Sequence, residues 1–501
     1  MNRNTTPEPC DVIILGAGIS GIGAACHLQR ECPHKAYVIL EARDAIGGTW
    51  DLFRYPGIRS DSDLYTYGYD FKPWYGKPIA TAAEILHYLQ EVVDENKLAP
   101  HIRFGQRVSR AVWSTADARW TVEAQSSDGE TRRFTGNFLF MCQGYYNHQA
   151  GYRPSFPGEE NFKGPIIHPQ QWPEELDYTG KQMVVIGSGA TAATIVPAVA
   201  ERVAHVTQLQ RSPSYYMSID NQAEDDMIKA LRALDVPQEW IHGIKRRKFL
   251  EESRIFTERA RNEPDVVKQE LLDMTAAVLP ADYDLATHFT PRYAPWKERL
   301  CLLPDNDLLK AVAAAKVSVV TDHVACFVAD GILLQSGQTL KADIIVCATG
   351  VELCGLGNIS FTIDGNPVSV PDTWTYKGIM ISDMPNLAWT FGYIRSAWTL
   401  RADLIARFVC RLLNYMEEAA VRQCTPRLRP EDQHMEAKLF IDAADFAPGY
   451  MQRGVGRLPK QGDREPWINL QNYYLEKDTL PQVSFDDGVL QFDNPNCSEA
   501  D

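Results

Sequence analysis

The sequence has no Cys-x-x-Cys pair, although it carries eleven cysteines, an odd number. Neither a zinc ribbon nor a dithiol redox centre is indicated, and no metal site is expected. Gly-x-Ser-x-Gly, His-Glu-x-x-His and the Gly-x-x-x-x-Gly-Lys-Ser/Thr loop are also missing. Their absence sets aside α/β-hydrolase, zincin and P-loop chemistry. Positive charge is scarce: 50 Lys and Arg against 65 Asp and Glu leave a net charge of −15. Such a chain lacks the broad positive field that nucleic acid or an anionic membrane would need. No apolar run precedes Asp11, and the apolar runs near 11–28 and 182–200 are each broken by Gly-x-Gly. Neither a secretory signal nor a transmembrane segment is expected. Cys142 and Cys347 lie in apolar, strand-like runs, where free thiols suit a reducing, cytoplasmic setting. The sequons at Asn4, Asn358 and Asn496 then read as chance matches.

What is present is ordinary globular material. The 501 residues are 45% hydrophobic and 23% charged, enough for two to four structural units.

One motif occurs twice. In residues 11–30 a buried-strand pattern leads into Gly16, Gly18 and Gly21 and then a helix of small residues. Residues 182–202 repeat the plan with Gly187, Ser188, Gly189, Ala190, Thr191 and a small residue, Ala192, in the third place. The first glycine permits a tight turn, the second lets the backbone approach a diphosphate, and the third small residue lets helix pack on strand. The helix N-terminus then offers free N–H groups to the phosphates. The ends of the second strands distinguish the two copies. Glu41 follows an apolar run in the first, where a carboxylate accepts bonds from ribose hydroxyls. Arg211, followed by Ser212, stands at the matching point of the second. A guanidinium there suits a 2′-phosphate that a carboxylate would repel. The pattern predicts FAD at the first site and NADPH at the second.

The fold class expected is α/β: two Rossmann-like dinucleotide-binding domains with a helical insertion. Residues 1–150 begin the FAD-binding domain, and 151–215 form a linker and the first part of the NADPH-binding domain. Residues 216–296 are a helical insertion, 297–380 complete the NADPH domain, and 381–501 complete the FAD domain and add a tail. The runs FLFMCQG and ADIIVCATG read as strands returning to the two sheets, and 397–421 as a long amphipathic helix. The polar, Pro-rich tail after about 455 carries no recognisable pattern.

Two loops point to chemistry. Residues 47–61, GGTWDLFRYPGIRSD, place Gly48, Thr49, Trp50 and Asp61 after the first nucleotide unit, where such a loop can lie against an isoalloxazine ring. Residues 162–173, FKGPIIHPQQWP, contain Phe162, Gly164, His168, Trp172 and Pro173 on the connection to the second unit. The spacing Phe-x-Gly-x-x-x-His-x-x-x-Trp-Pro resembles the fingerprint of Baeyer–Villiger monooxygenases at every fixed position. Gly47-Gly48-x-Trp50, Tyr55-Pro56-Gly57 and Asp61 resemble that family's second fingerprint. The chain is most similar to its ethionamide-activating subgroup, over about residues 10–480.

The resemblance implies a mechanism. NADPH reduces FAD, O2 then yields a C4a-peroxyflavin, and this attacks a ketone carbonyl on the way to an ester or lactone. Sulfoxidation is implied as a side activity. The family uses an arginine held by an aspartate; the matching residues are Asp61 and Arg299, with Lys297 as an NADPH partner. No Lys-Arg-Pro triplet occurs in this region, so Arg299 is taken from WKERLCLLP. Tyr67 matches a residue near the flavin, and His168 resembles a linker residue answering to NADP+. A flavin-containing N- or S-monooxygenase is the alternative, and a non-catalytic, redox-sensing FAD/NADP-binding module a more distant one. The physiological ketone or sulfide and the oligomeric state are not specified by these motifs.

Overall fold

The computed structural model describes residues 8–222 and 224–495; Asn4, Asn496 and Cys497 lie outside them. The strand Glu8–Leu15 runs from an exposed start into the core, with Val12, Ile13 and Ile14 fully buried at the centre of the first sheet. It pairs in parallel with Tyr37–Leu40 on one side and Thr131–Met141 on the other. Thr131–Met141 continues antiparallel into Arg119–Ser126 and from there to Gln106–Ser114. The helix Ile19–Glu31 follows the first glycine turn and buries Ile22, Ala25 and Leu28 against Ile405, Phe408 and Leu412 of the helix Trp398–Glu418.

The second sheet is parallel throughout. Its strand order is Val317–Thr321, His205–Gln210, Gln182–Ile186, Ile344–Cys347 and Ile166–Ile167. The glycine turn therefore sits at the carboxyl end of a central strand, where open α/β sheets bind ligands. Both predicted return strands are present: Thr131–Met141 in the first sheet and Ile344–Cys347 in the second.

The chain rejoins the first sheet at Ser360–Ile363, which pairs with Gln106–Ser114, and again at Leu387–Trp389, which pairs with Thr131–Met141. This return begins before position 381. The strands involved are too short to show a period in sequence. Between the halves of the second domain, the helices Asp226–Ala233, Gln238–Asn262 and Pro264–Ala276 form the insertion. A parallel pair, Tyr216–Ile219 with Cys301–Pro304, closes its base. Arg246 fastens it to the first domain by donating to the carbonyls of Tyr65 and Gly68.

The tail that lacked a pattern is well packed. Trp467, Leu480 and Phe485 are buried, and Leu490–Asp493 pairs with Gln423–Pro426. All ten described cysteines are free thiols.

Three histidines with large shifts contribute to the pH dependence of stability. Burial pushes His148 and His242 down to about 4. Burial also opposes charge on His27, but Asp403 and Glu31 outweigh it and raise His27 to about 9. With an unfolded value of about 6.5, the unfolded chain binds more protons than the native one through His148 and His242 below that pH, and fewer through His27 above it. These groups therefore lower stability as pH falls from about 6.5 to about 4, and as it rises from about 6.5 to about 9. Urea midpoints measured against pH should peak near 6.5, and His27→Asn should flatten the alkaline limb.

Candidate active site

At the first turn Gly16 has φ +100°, and a Cβ there would stand 2.9 Å from the Cys142 carbonyl oxygen. A Cβ on Gly21 would collide with the Gly16 carbonyl oxygen, so helix and turn pack backbone to backbone. Gly18 faces Gly48 across the turn, with only 3.6 Å between its would-be Cβ and the Gly48 Cα. Glu41 is buried and accepts from the amides of Ala17 at 2.7 Å and Arg43 at 2.9 Å. Burial raises its pKa against the pull of those donors.

Thr49 opens the short helix Thr49–Leu52. Trp50 donates its indole N–H to the Tyr67 hydroxyl at 2.9 Å, the two rings meeting edge to face. Burial keeps the Tyr67 phenol protonated, and its hydrogen remains free to donate onward. The rest of this loop turns the other way. Tyr55 is buried in the core of the second domain, and Gly57 packs against Thr194 and Ala198 of the helix Ala190–Val199. The loop thus serves two domains: Gly47–Trp50 lines the first turn and Tyr55–Ile58 grips the second.

Two atoms beside the first turn have no protein partner. The side-chain oxygen and nitrogen of Gln143, at the end of the strand that backs Gly16, are buried and unbonded. The neighbouring Gly144 opens on free space. Buried amide groups of this kind need partners, and a polar ligand beside the turn would supply them. The residues present fit an adenine dinucleotide.

Asp61 and Arg299, far apart in sequence, are brought together: Nη1 of Arg299 lies 3.9 Å from Oδ2 of Asp61. Burial works against the charge on Arg299, but Tyr450, Asp61, Tyr145 and Tyr146 outweigh it and hold the guanidinium ionised. Tyr145 stacks on Trp398 and shares a 2.7 Å hydrogen bond with Tyr146, whose ring meets Tyr450 edge to face. Burial raises the pKa of all three phenols, so they remain donors. The motif reading missed these tyrosines. Tyr145 and Tyr146 were within reach, because they follow directly on a strand returning to the first sheet, where ligand-facing residues collect.

At the second turn Gly187 has φ +142° and packs on Ala348, while Gly189 opens on free space. Ser188 Oγ donates to the Ser212 carbonyl at 2.9 Å and lies 3.0 Å from Ser214 Oγ. Ala190 begins the following helix, with Thr191 in its first turn. Arg211 and Ser212 are exposed at the end of the strand His205–Gln210, as a phosphate site requires. The ammonium group of Lys297 donates to the Ala444 carbonyl.

The linker residues divide by role. Phe162 and Trp172 are buried against Phe327 and Tyr178, and Pro173 is exposed. A Cβ on Gly164 would strike the Asp343 carbonyl oxygen. Nδ1 of His168 accepts from the Gln170 amide at 3.2 Å, so Nε2 carries the hydrogen and donates to the Gly350 carbonyl at 3.1 Å. Burial lowers the pKa of His168 and keeps it neutral. It is a tether to the second turn.

Residues 14–70 match the NAD(P)-binding Rossmann-like domain, and residues 67–238 match the flavin-binding monooxygenase-like family. The FAD-containing monooxygenase EthA of Mycolicibacterium smegmatis is 47% identical over 490 residues, covering 97% of each chain. The chain belongs to the EthA-type FAD-containing monooxygenases. The Mycobacterium tuberculosis EthA is 46% identical over 488 residues, covering 97% of this chain and 98% of its own. Among solved structures, a steroid monooxygenase bound to NADP superposes with a TM-score of 0.75 at 22% identity, covering 97% of this EthA-type chain and 99% of that one. The NADP+-bound cyclohexanone monooxygenase from Rhodococcus sp. Phi1 does so with a TM-score of 0.75 at 22% identity, covering 98% and 100%. The EthA-type chain shares their fold of two dinucleotide-binding domains.

Proposed function

We propose that this chain is an NADPH- and O2-dependent Baeyer–Villiger monooxygenase that converts ketones into esters or lactones, with sulfoxidation as a side activity. FAD at the first turn would activate oxygen, and NADPH at the second would supply the hydride. The observation that carries the reading is Arg299, held at Asp61 among three protonated phenols. Ketone oxygenation builds negative charge on the carbonyl oxygen, and a preorganised cation with hydrogen-bond donors stabilises it. Oxygen transfer to a neutral sulfide or amine needs no such cation. Asp61 orients Arg299, Arg211 takes the 2′-phosphate, and Glu41 meets the ribose of FAD.

The five-part domain division given above belongs to the same reading, with the return to the FAD domain starting at Ser360–Ile363. So does a cytoplasmic setting, supported by the free, mostly buried cysteines. Among the described residues no helix is long and apolar enough to cross a membrane.

The test is an NADPH-consumption screen over linear, cyclic and aromatic ketones and over sulfides, with product identification. The purified protein should be yellow, and ketones should stimulate consumption and appear as esters carrying one oxygen atom from O2. Turnover confined to sulfides and amines would favour heteroatom oxygenation instead. A folded protein that neither binds flavin nor oxidises NADPH would sink both readings.

A further inference from the structure

The arginine at the end of the strand His205–Gln210 has a counterpart on the far side of the second turn. Arg453 comes from the C-terminal segment, on the short helix Gly449–Gly454. Its guanidinium lies over the Tyr152 ring, with Cζ 3.4 Å from the ring centroid. Its Nη2 reaches the carbonyl of Val351 at 3.5 Å and stands 3.7 Å from where a Gly350 Cβ would be. Gly350 ends the strand-and-turn segment beside Gly187, and its carbonyl accepts both the Tyr152 amide, at 3.0 Å, and His168. Tyr152 is thereby fixed as a platform at the carboxyl edge of the sheet, and Arg453 is fixed on it by a planar stack.

The charges around it are unbalanced. Among the described residues neither Arg453 nor Arg211 has a carboxylate within ion-pair distance, and they stand at the ends of the two strands that flank Gln182–Ile186. Glu352, the nearby acid on this side, is taken by Arg457 at 3.4 Å and by the Asn147 amide at 3.1 Å. Glu298 faces Arg211 without pairing, its pKa raised by burial. Two unpaired guanidinium groups flanking a glycine turn that opens on free space at Gly189 make a site for a polyanion.

We propose that Arg453 binds the diphosphate of the nicotinamide dinucleotide at the second turn, opposite Arg211, which binds the 2′-phosphate. The division follows from position. Arg211 ends the second strand of the nucleotide unit, where the adenosine ribose is read; Arg453 stands over the glycine turn from the side of Ile344–Cys347. This rests on the cofactor reading given under the proposed function.

The experiment is direct binding of NADP+ and NAD+ to the FAD-loaded enzyme by titration calorimetry, without turnover. Arg453→Ala should raise the Kd for NADP+ and for NAD+ by the same factor, about ten-fold, the loss of one charge-assisted contact. Arg211→Ala should raise the Kd for NADP+ alone. Arg453→Lys keeps the charge and loses the stack, and should fall between wild type and Arg453→Ala; it decides the matter if the alanine variant does not fold. A change within two-fold for both nucleotides, or a loss confined to NADP+, overturns the assignment of Arg453 while leaving the cofactor reading intact. Failure of the wild-type enzyme to bind either nucleotide overturns both.

Discussion

Arg299→Ala is expected to oxidise NADPH at close to the wild-type rate and yet form almost no ester. The argument begins from what the Asp61–Arg299 pair does not do. At 3.9 Å, with the side chains 31% and 39% exposed, it resembles ion pairs that add at most about 1 kcal/mol to stability. Yet the pair keeps a cation among three tyrosines, an arrangement with a desolvation cost. On the proposed function, its value is in the transition state. A preorganised donor to a developing oxyanion contributes about 2.7–4 kcal/mol, a factor of about 100–1,000 in kcat. On the proposed reading, NADPH binding at the second turn draws on Arg211 and the glycine backbone, which this substitution does not touch. The measurement is the ratio of ester formed to NADPH consumed, with hydrogen peroxide accounting for the difference. Ester formation at the wild-type ratio would show that the anion is held by another group. Asp61→Asn should act in the same direction but less strongly, since Tyr145, Tyr146 and Tyr450 still surround the guanidinium.

The second large effect concerns stability. Arg401 and Glu476 are 0% and 2% exposed and meet at 2.9 Å. Arg401 also donates to the carbonyls of Phe391 and Lys377, so one guanidinium fastens the end of the first sheet and the helix Tyr473–Thr479 to the long helix Trp398–Glu418. Arg401→Leu leaves a buried carboxylate and two buried carbonyl groups without their donor. Breaking a buried pair from one side costs about 3–5 kcal/mol, a large part of the 5–15 kcal/mol that holds a typical domain. The denaturant midpoint should fall sharply. Arg401→Leu/Glu476→Leu should recover part of the loss, because no unpaired charge remains. An unchanged midpoint in the single variant would mean that the pair contributes nothing.

Legibility followed the range of the interactions involved. The turn at Gly16 is closed by Gly21 within one strand–turn–helix unit, so the contact that demands glycine is written in a few consecutive residues. The same holds for the apolar run Val12–Leu15 and for the helix Trp398–Glu418. Arg211 was legible for a similar reason, since strand length fixes where the second strand of a nucleotide unit ends. The tail after 455 was not. Trp467 and Phe485 are isolated large residues among polar ones, and they are buried because other segments cover them, not because of any period of their own. The dual use of the loop 47–61 was hidden as well, since nothing in Tyr55-Pro56-Gly57 says which domain it will face.

By itself, the sequence determined that this chain has two dinucleotide turns, an acid at one and a base at the other, joined by a linker built around His168. Those properties rest on backbone conformation and neighbouring residues. Only the tertiary structure decided which groups come together around Arg299. Asp61, Tyr145, Arg299 and Tyr450 come from four separate segments and meet because the two sheets, the linker and the tail pack together. A cluster formed by close packing between distant segments has no spacing in the chain, which is why three tyrosines and Arg453 stayed out of sight until the fold placed them.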